Sequence, residues 1–133
     1  MSNKIRILLA EDEQMLAEIL SDTLTDRGFE VALAYNGEQA MQMARADHFD
    51  VIVTDVMMPR LDGFSLTRRL RSEGCNVPVL FLTARSATED VVQGFKVGGN
   101  DFLRKPFAID ELIVRVQALA GRMEQAEDSD TEF

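Results

Sequence analysis

The 133-residue chain has no tryptophan, one cysteine, one histidine, one tyrosine and three prolines. Its single cysteine, Cys75, excludes an internal disulfide and fits a reducing cytoplasm; the thiol reads as an inert group at a loop or helix end. No apolar run approaches the roughly 18 residues that cross a membrane. The opening stretch MSNKIRILLAEDE meets acids at once after a short apolar run, which is not the pattern of a signal peptide. The Gly-x4-Gly-Lys-Ser/Thr loop of P-loop nucleotidases is missing. Basic charge is scarce, with 14 Lys and Arg against 23 Asp and Glu and a formal net charge of -9. Five of the acids, Glu124, Glu127, Asp128, Asp130 and Glu132, crowd the last ten residues, and without these five the balance is still -4. Such a chain repels phosphate backbones and is a poor nucleic-acid binder by itself; metal cations or basic partner surfaces suit it better.

What is present is a regular alternation. The length suits one domain with its own core, and the 46% hydrophobic share is ordinary for a globular protein. Short apolar runs at 5–10, 30–34, 50–54, 77–82 and 101–105 read as buried strands. Helical stripes lie between and after them. Met15, Leu16, Ile19, Leu20 and Leu24 form the first, closed by Gly28. Asn36-Gly37 opens the second, which runs to about Ala46. Phe64, Leu66 and Leu70 mark the third, and Val91, Val92 and Phe95 the fourth, before Gly98-Gly99. Ile109, Leu112, Ile113, Val116, Leu119 and Ala120 mark the fifth. Five strands alternating with five helices predict an α/β fold, a five-stranded parallel sheet doubly wound by helices. The domain is expected over 1–122, followed by an acidic linker or disordered tail over 123–133.

That architecture says where chemistry must sit. Open parallel sheets bind ligands at the carboxyl ends of their strands, near the topological switch point. Glu11, Asp12 and Glu13 follow the first strand, Asp55 the third and Thr83 the fourth, and Lys105 ends the fifth, before Pro106. Clustered carboxylates repel one another unless a cation sits among them. Mg²⁺ fits, with Asp12 and Asp55 as direct ligands, Glu11 direct or through water, and the Met57 carbonyl completing the protein's share. Asp55 keeps one oxygen as a nucleophile that can form an aspartyl phosphate. Lys105 would neutralise charge on the transferring group, and Thr83 offers a hydroxyl to a phosphoryl oxygen. His48 reads as a surface residue and Met57-Met58 as loop packing.

At these residues the sequence resembles the receiver domain of bacterial response regulators. The matching pieces are ILLAEDE, DVMMPRLDG, FLTAR and GGNDFLRKPF, in order and at the right spacing, within residues 4 to 122. The resemblance implies a flavodoxin-like sheet of strand order 2-1-3-4-5. It implies Asp55 as phosphoacceptor, Glu11 and Asp12 as the acidic Mg²⁺ pair, and Thr83 and Lys105 at the phosphoryl group. Phe102 corresponds to the family's switch aromatic, and Lys105-Pro106 to its cis peptide. The implied function is a two-component signalling switch, phosphorylated by a sensor histidine kinase. It is not an enzyme beyond self-phosphorylation from a phosphodonor and autodephosphorylation.

KPFAIDELIVRVQAL further resembles the fifth helix of the OmpR/PhoB type, whose receivers precede a DNA-binding domain. Transcriptional output through such a domain, absent from this chain, is therefore expected; a stand-alone receiver acting through protein contacts is the alternative. That type implies self-association through the fourth helix, fifth strand and fifth helix. This chain keeps Val92 and Phe95, adds Val114, and retains Asp101 and Arg115 as a cross-interface pair. It departs at Val91, where a basic partner for Glu111 is expected, and at Lys96 and Gln117, where an acidic and a basic residue would meet. Two rivals fit less well. A haloacid dehalogenase-type phosphohydrolase needs a second acid two residues after its nucleophile, where Met57 stands. A flavodoxin-like cofactor binder wants a hydroxyl- or glycine-rich loop where three acids stand.

Overall fold

In the computed structural model residues 3–84 and 87–122 are described; the acidic stretch expected at 123–133 lies outside them. The strands are β1 (Arg6–Ala10), β2 (Glu30–Ala34), β3 (Val51–Asp55), β4 (Val79–Thr83) and β5 (Asp101–Arg104). The helices are α1 (Gln14–Asp26), α2 (Gly37–Ala46), α3 (Gly63–Ser72), α4 (Thr88–Lys96) and α5 (Ile109–Ala120). All strands pair in parallel, in the order β2-β1-β3-β4-β5, as the alternation and the resemblance lead one to expect.

Every residue of β3 and β4 is buried, which explains their unbroken apolar character. Alternate side chains divide between two cores. Leu8, Ile52 and Phe81 face Met41 of α2 and Phe64, Leu66 and Leu70 of α3. Ile7, Leu9, Val53, Leu80 and Leu82 face Leu20 and Leu24 of α1 and Leu112, Ile113 and Val116 of α5. The period of two along each strand therefore assigns each helix to its face of the sheet.

One apolar stripe differs from its sequence reading. In α1, Met15 and Ile19 are exposed, whereas Ala17, Leu20 and Leu24 are buried. The inward line advances by three and four residues from Ala17, and Met15 and Ile19 fall off it. In α4 only Gly94 is buried, while Val92 and Phe95 face out. A Cβ on Gly94 would meet the rings of Phe102 and Phe81 at 3.2 Å, so α4 rests on these rings through its backbone. β2 and β5, read as buried, lie at the two edges of the sheet and are only partly buried, and elsewhere boundaries move. β3 and β4 run to Asp55 and Thr83 themselves, because the ladder continues: Val56 N–H still donates to Leu82 O at 3.3 Å.

Two glycines bring backbone against the loop after Asp55. A Cβ on Gly63 would lie 2.3 Å from the Asp55 carbonyl oxygen, and one on Gly37 would lie 1.8 Å from that of Leu61. The β3–α3 loop is thus packed between the starts of α2 and α3, and within it Arg60 takes a left-handed φ of 72°. Asp62 caps α3 by accepting from Ser65 N–H at 2.7 Å. The Lys105–Pro106 peptide is cis, as the resemblance implies.

Candidate functional site

β1 and β3 are adjacent, but the helices that follow them cover opposite faces, α1 together with α5 and α3 together with α2. Their carboxyl ends form the switch point of the sheet. Glu11 follows β1 directly and is only 2% exposed. Its backbone N–H donates to Ala34 O at 3.0 Å, continuing the ladder with β2 and holding the side chain at the strand mouth. Asp55 ends β3 and is 9% exposed. Asp12 lies exposed at the rim. One carboxylate oxygen from each of Glu11, Asp12 and Asp55 falls within 4.8 Å of the others, so the sequence-predicted acids do converge.

Lys105 is the cation among them. Its Nζ donates to Glu11 Oε1 at 2.9 Å and to Asp55 Oδ2 at 2.7 Å, bridging residues 94 and 50 positions away. Its backbone N–H donates to Thr83 O at 2.9 Å, which ties the end of β4 to the lysine. Thr83 itself is 1% exposed. The four strand ends therefore meet as the sequence indicated. Asp55 Oδ1 also accepts from Met57 N–H at 3.2 Å, which fixes the carboxylate's second oxygen while the Met57 side chain points to solvent.

The electrostatics follow from burial and pairing. Burial pushes the Glu11 carboxyl above its usual range and Asp55 adds to that push, while Lys105 and the Glu13 N–H pull against it. For Lys105, burial alone would lower the ammonium, but the hydrogen bonds to Asp55 and Glu11 outweigh it and the net shift is upward. An all-oxygen donor set with a lysine already among the acids suits a hard divalent ion. Thr54 was not singled out in the sequence. Its buried hydroxyl donates to Asp55 O at 2.9 Å, supporting the backbone under the carboxylate. A hydroxyl inside an otherwise apolar strand was the available signal.

The expected partner face divides. Val92, Phe95 and Val114 are exposed, as a surface patch requires. Phe102 is half-buried against Phe81, ring centroids 5.9 Å apart, beside a groove of about 700 Å³ bordered by Val91, Phe95, Lys105 and Arg115. Arg115, however, meets Asp101 within one chain, Nη1 lying 3.0 Å from both carboxylate oxygens, and also holds Glu111 at 3.1 Å. The pair expected across an interface is closed inside the molecule, because β5 starts beside the turn of α5 that carries Arg115. Gln117 is 7% exposed and extends the inward stripe of Leu112, Ile113 and Val116, so it cannot face a partner on that surface. His48 is exposed, as read, and Cys75 is a free, half-buried thiol.

A doubly wound parallel sheet with a lysine-bridged acidic pocket at its switch point defines a class: α/β proteins built to handle a phosphoryl group or metal at the strand ends. Residues 7–117 match the response regulator receiver domain, and the chain belongs to that family. It is 42% identical over 127 residues to the response regulator MprA of Mycobacterium avium (strain 104), covering 96% of this chain and 56% of that protein. It is 38% identical over 123 residues to the transcriptional regulatory protein RprY of Bacteroides fragilis (strain YCH46), covering 92% and 52%. The chain thus spans about half the length of the curated relatives it matches. Among solved structures, the receiver domain of the sensor histidine kinase PA1611 from Pseudomonas aeruginosa PAO1 superposes with a TM-score of 0.81 at 35% identity, covering 89% of this chain and 98% of that one. That structure has a magnesium ion coordinated in its active-site cleft. This stretch of chain is therefore a response regulator receiver domain, a signalling module.

Proposed function

We propose that Asp55 accepts a phosphoryl group from a histidine kinase or a small phosphodonor, in a domain comprising residues 1–122, and that Glu11, Asp12, Asp55 and the Met57 carbonyl hold Mg²⁺. The observation that carries this reading is the Lys105 ammonium held between Glu11 and Asp55 at the mouth of a buried strand. A carboxylate oxygen of Asp55 attacks phosphorus, the bond from phosphorus to the donor breaks, and the donor leaves with the electron pair. Lys105 holds the Asp55 carboxylate in place by its hydrogen bond and stays beside the phosphoryl oxygens as charge develops. Thr83, one strand away, supplies a hydroxyl to one of those oxygens. Bound Mg²⁺ would neutralise phosphoryl charge during transfer. Water attack later returns the carboxylate and inorganic phosphate.

The output is read by a partner. Movement of Thr83 toward the phosphoryl group would free space for Phe102, which now rests on Phe81, to turn inward beneath α4. Val92, Phe95 and Val114 would then drive a weak dimer through α4, β5 and α5. With Arg115 engaged by Asp101 and Glu111 in the same chain, that dimer rests on its apolar patch unless these bonds rearrange. Since RprY is a transcriptional regulatory protein and MprA a response regulator, control of transcription in the cytoplasm is the proposed role of the whole protein. Among the described residues, no helix is long and apolar enough to cross a membrane.

Incubation with acetyl phosphate and Mg²⁺ tests the chemistry. Intact mass should rise by about 80 Da, one phosphoryl group, in wild type and not in Asp55→Ala. An equal adduct on the alanine variant, or undiminished labelling in chelator, would overturn the assignment.

A further inference from the structure

Thr54 carries the one hydroxyl in β3, and it stands one residue before the carboxylate. By the period of two its side chain shares a face with Ile52, in the core that includes Val56, Met58 and Phe64. It is fully buried. A hydroxyl in such a place costs stability unless it is bonded, and valine has the same shape without that cost. The bond Thr54 makes is local. Its Oγ1 donates to the Asp55 carbonyl oxygen at 2.9 Å and lies 3.9 Å from Met58 Sδ.

That carbonyl belongs to the peptide from which the β3–α3 loop departs. The other end of the peptide, Val56 N–H, donates to Leu82 O at 3.3 Å, which is longer than an ordinary N–H to oxygen bond. The shorter hydroxyl bond therefore carries more of the constraint. The start of α3 closes in on the same stretch: Gly63 N–H donates to Val56 O at 2.8 Å, and a Cβ on Gly63 would lie 2.3 Å from the Asp55 carbonyl oxygen. Beyond this peptide, Met57 N–H reaches back to Asp55 Oδ1 at 3.2 Å, the long end of the ordinary range, so a small rotation of the backbone between them breaks it. Lys105 holds Oδ2 at 2.7 Å from another strand and does not depend on that rotation. The carboxylate is held at its tip by Lys105 and Met57, and the Met57 bond depends on the root that Thr54 fixes.

We propose that Thr54 is a positioning residue for phosphoryl transfer. Its hydroxyl sets the plane of the Asp55–Val56 peptide, which keeps Met57 N–H on Oδ1 and the carboxylate in one orientation toward the incoming phosphorus. The proposal rests on Asp55 being the phosphoacceptor. Thr54 touches neither the donor nor the phosphoryl group. It acts by fixing the nucleophile before the donor arrives, so that no ordering is needed during transfer.

Two variants of the full chain separate positioning from packing. Thr54→Val keeps the shape and replaces the donor by a methyl group. Thr54→Ser keeps the donor and deletes a buried methyl group, so it should melt below wild type yet behave like wild type at the site. The first readout needs neither metal nor phosphodonor: the Met57 amide proton resonance in chelator. Asp55→Ala removes the acceptor and marks the position of the unbonded N–H. Thr54→Val should move the signal most of the way to that position, and Thr54→Ser should leave it near wild type. The second readout is the rate of phosphorylation by acetyl phosphate at saturating Mg²⁺. Thr54→Val should be slower on the order of tenfold, since a misplacement of about 1 Å can cost about a hundredfold. Thr54→Ser should recover most of that rate. With wild type labelled at Asp55, the proposal is overturned by a Met57 signal that stays in place in Thr54→Val, by a valine variant as fast as wild type, or by a serine variant as slow as valine. Failure of the phosphoacceptor reading looks different: wild type takes no phosphoryl group, or Asp55→Ala takes as much, whatever the Met57 signal does, and the kinetic role of Thr54 falls with it.

Discussion

The two ends of this sheet each carry one cation between two acids, yet they do different things. At the carboxyl end, Lys105 bridges Glu11 and Asp55, with side chains 21%, 2% and 12% exposed. At the amino end, Arg6 bridges Asp47 and Glu30, with side chains 32%, 55% and 44% exposed. The charges are alike, but the surroundings are not. Water screens the amino-end cluster, and Arg6 also lies over the Phe49 ring at 5.1 Å, so it acts as a surface clamp from β1 to the segment after α2. Burial at the carboxyl end makes each charge depend on its neighbour, which is the condition for a site that responds when one charge changes. β1 connects the two, with Arg6 at its start and Glu11 just past its end.

The largest break in this comparison should come from Lys105→Met. Removing the ammonium leaves Glu11 and Asp55 buried side by side. A loss of about 2 kcal/mol is expected in chelator, below the roughly 3–5 kcal/mol of a fully buried pair because Lys105 is partly open to water. Millimolar Mg²⁺ should restore part of it, by mass action at the same carboxylates. Urea unfolding with and without Mg²⁺ measures both; a loss no greater than at a surface arginine would erase the contrast.

A smaller effect separates the amino end by its pH dependence. Arg6 holds the Asp47 carboxyl well below its usual range, with His48 N–H assisting. A depressed carboxyl contributes stability above its unfolded value of 3.8, and that contribution is lost as pH falls through the folded value. Wild type should therefore melt above Asp47→Asn at pH 7, and the two should converge on acidification below about 3.8. A difference that grows toward low pH would reverse the reading.

The smallest effect should be at the flank of α5. Arg115→Ala loses exposed bonds to Asp101 and Glu111 and should cost about 0.5 kcal/mol, mostly erased near 1 M salt. A larger, salt-insensitive loss would mean that the Asp101–Arg115 pair anchors β5 to α5. In that case it would be unavailable to a partner chain.

The sequence made most of the active edge legible because parallel strands impose it. Runs such as VIVTD and VLFLT are buried on both faces, and whatever follows them must emerge at one rim. Asp55, Thr83 and Lys105 could therefore be placed together without knowing a distance. Helix faces were less legible. Met15 and Ile19 fit a helical period as well as Ala17 and Leu20 do, and an alanine gives a weak hydrophobic signal. Only the direction from which the sheet approaches α1 decides between them. Val92 and Phe95 mark α4 as a helix and are expected on its outer face, but no pattern showed that α4 seats on the sheet through Gly94, a contact without a side chain.

Composition and order in the chain determined the fold class, the rim that bears the chemistry and the residue types gathered there, because strand period and connection rules are local and general. Tertiary structure decided the partners. Arg115 meets Asp101 in its own chain, Gln117 turns inward, and Lys105 spans 94 residues to reach Glu11. These outcomes depend on which side chains arrive at the same place with which burial. Hydrogen-bond and ion-pair energies are set by that burial, and no local pattern in the sequence encodes it.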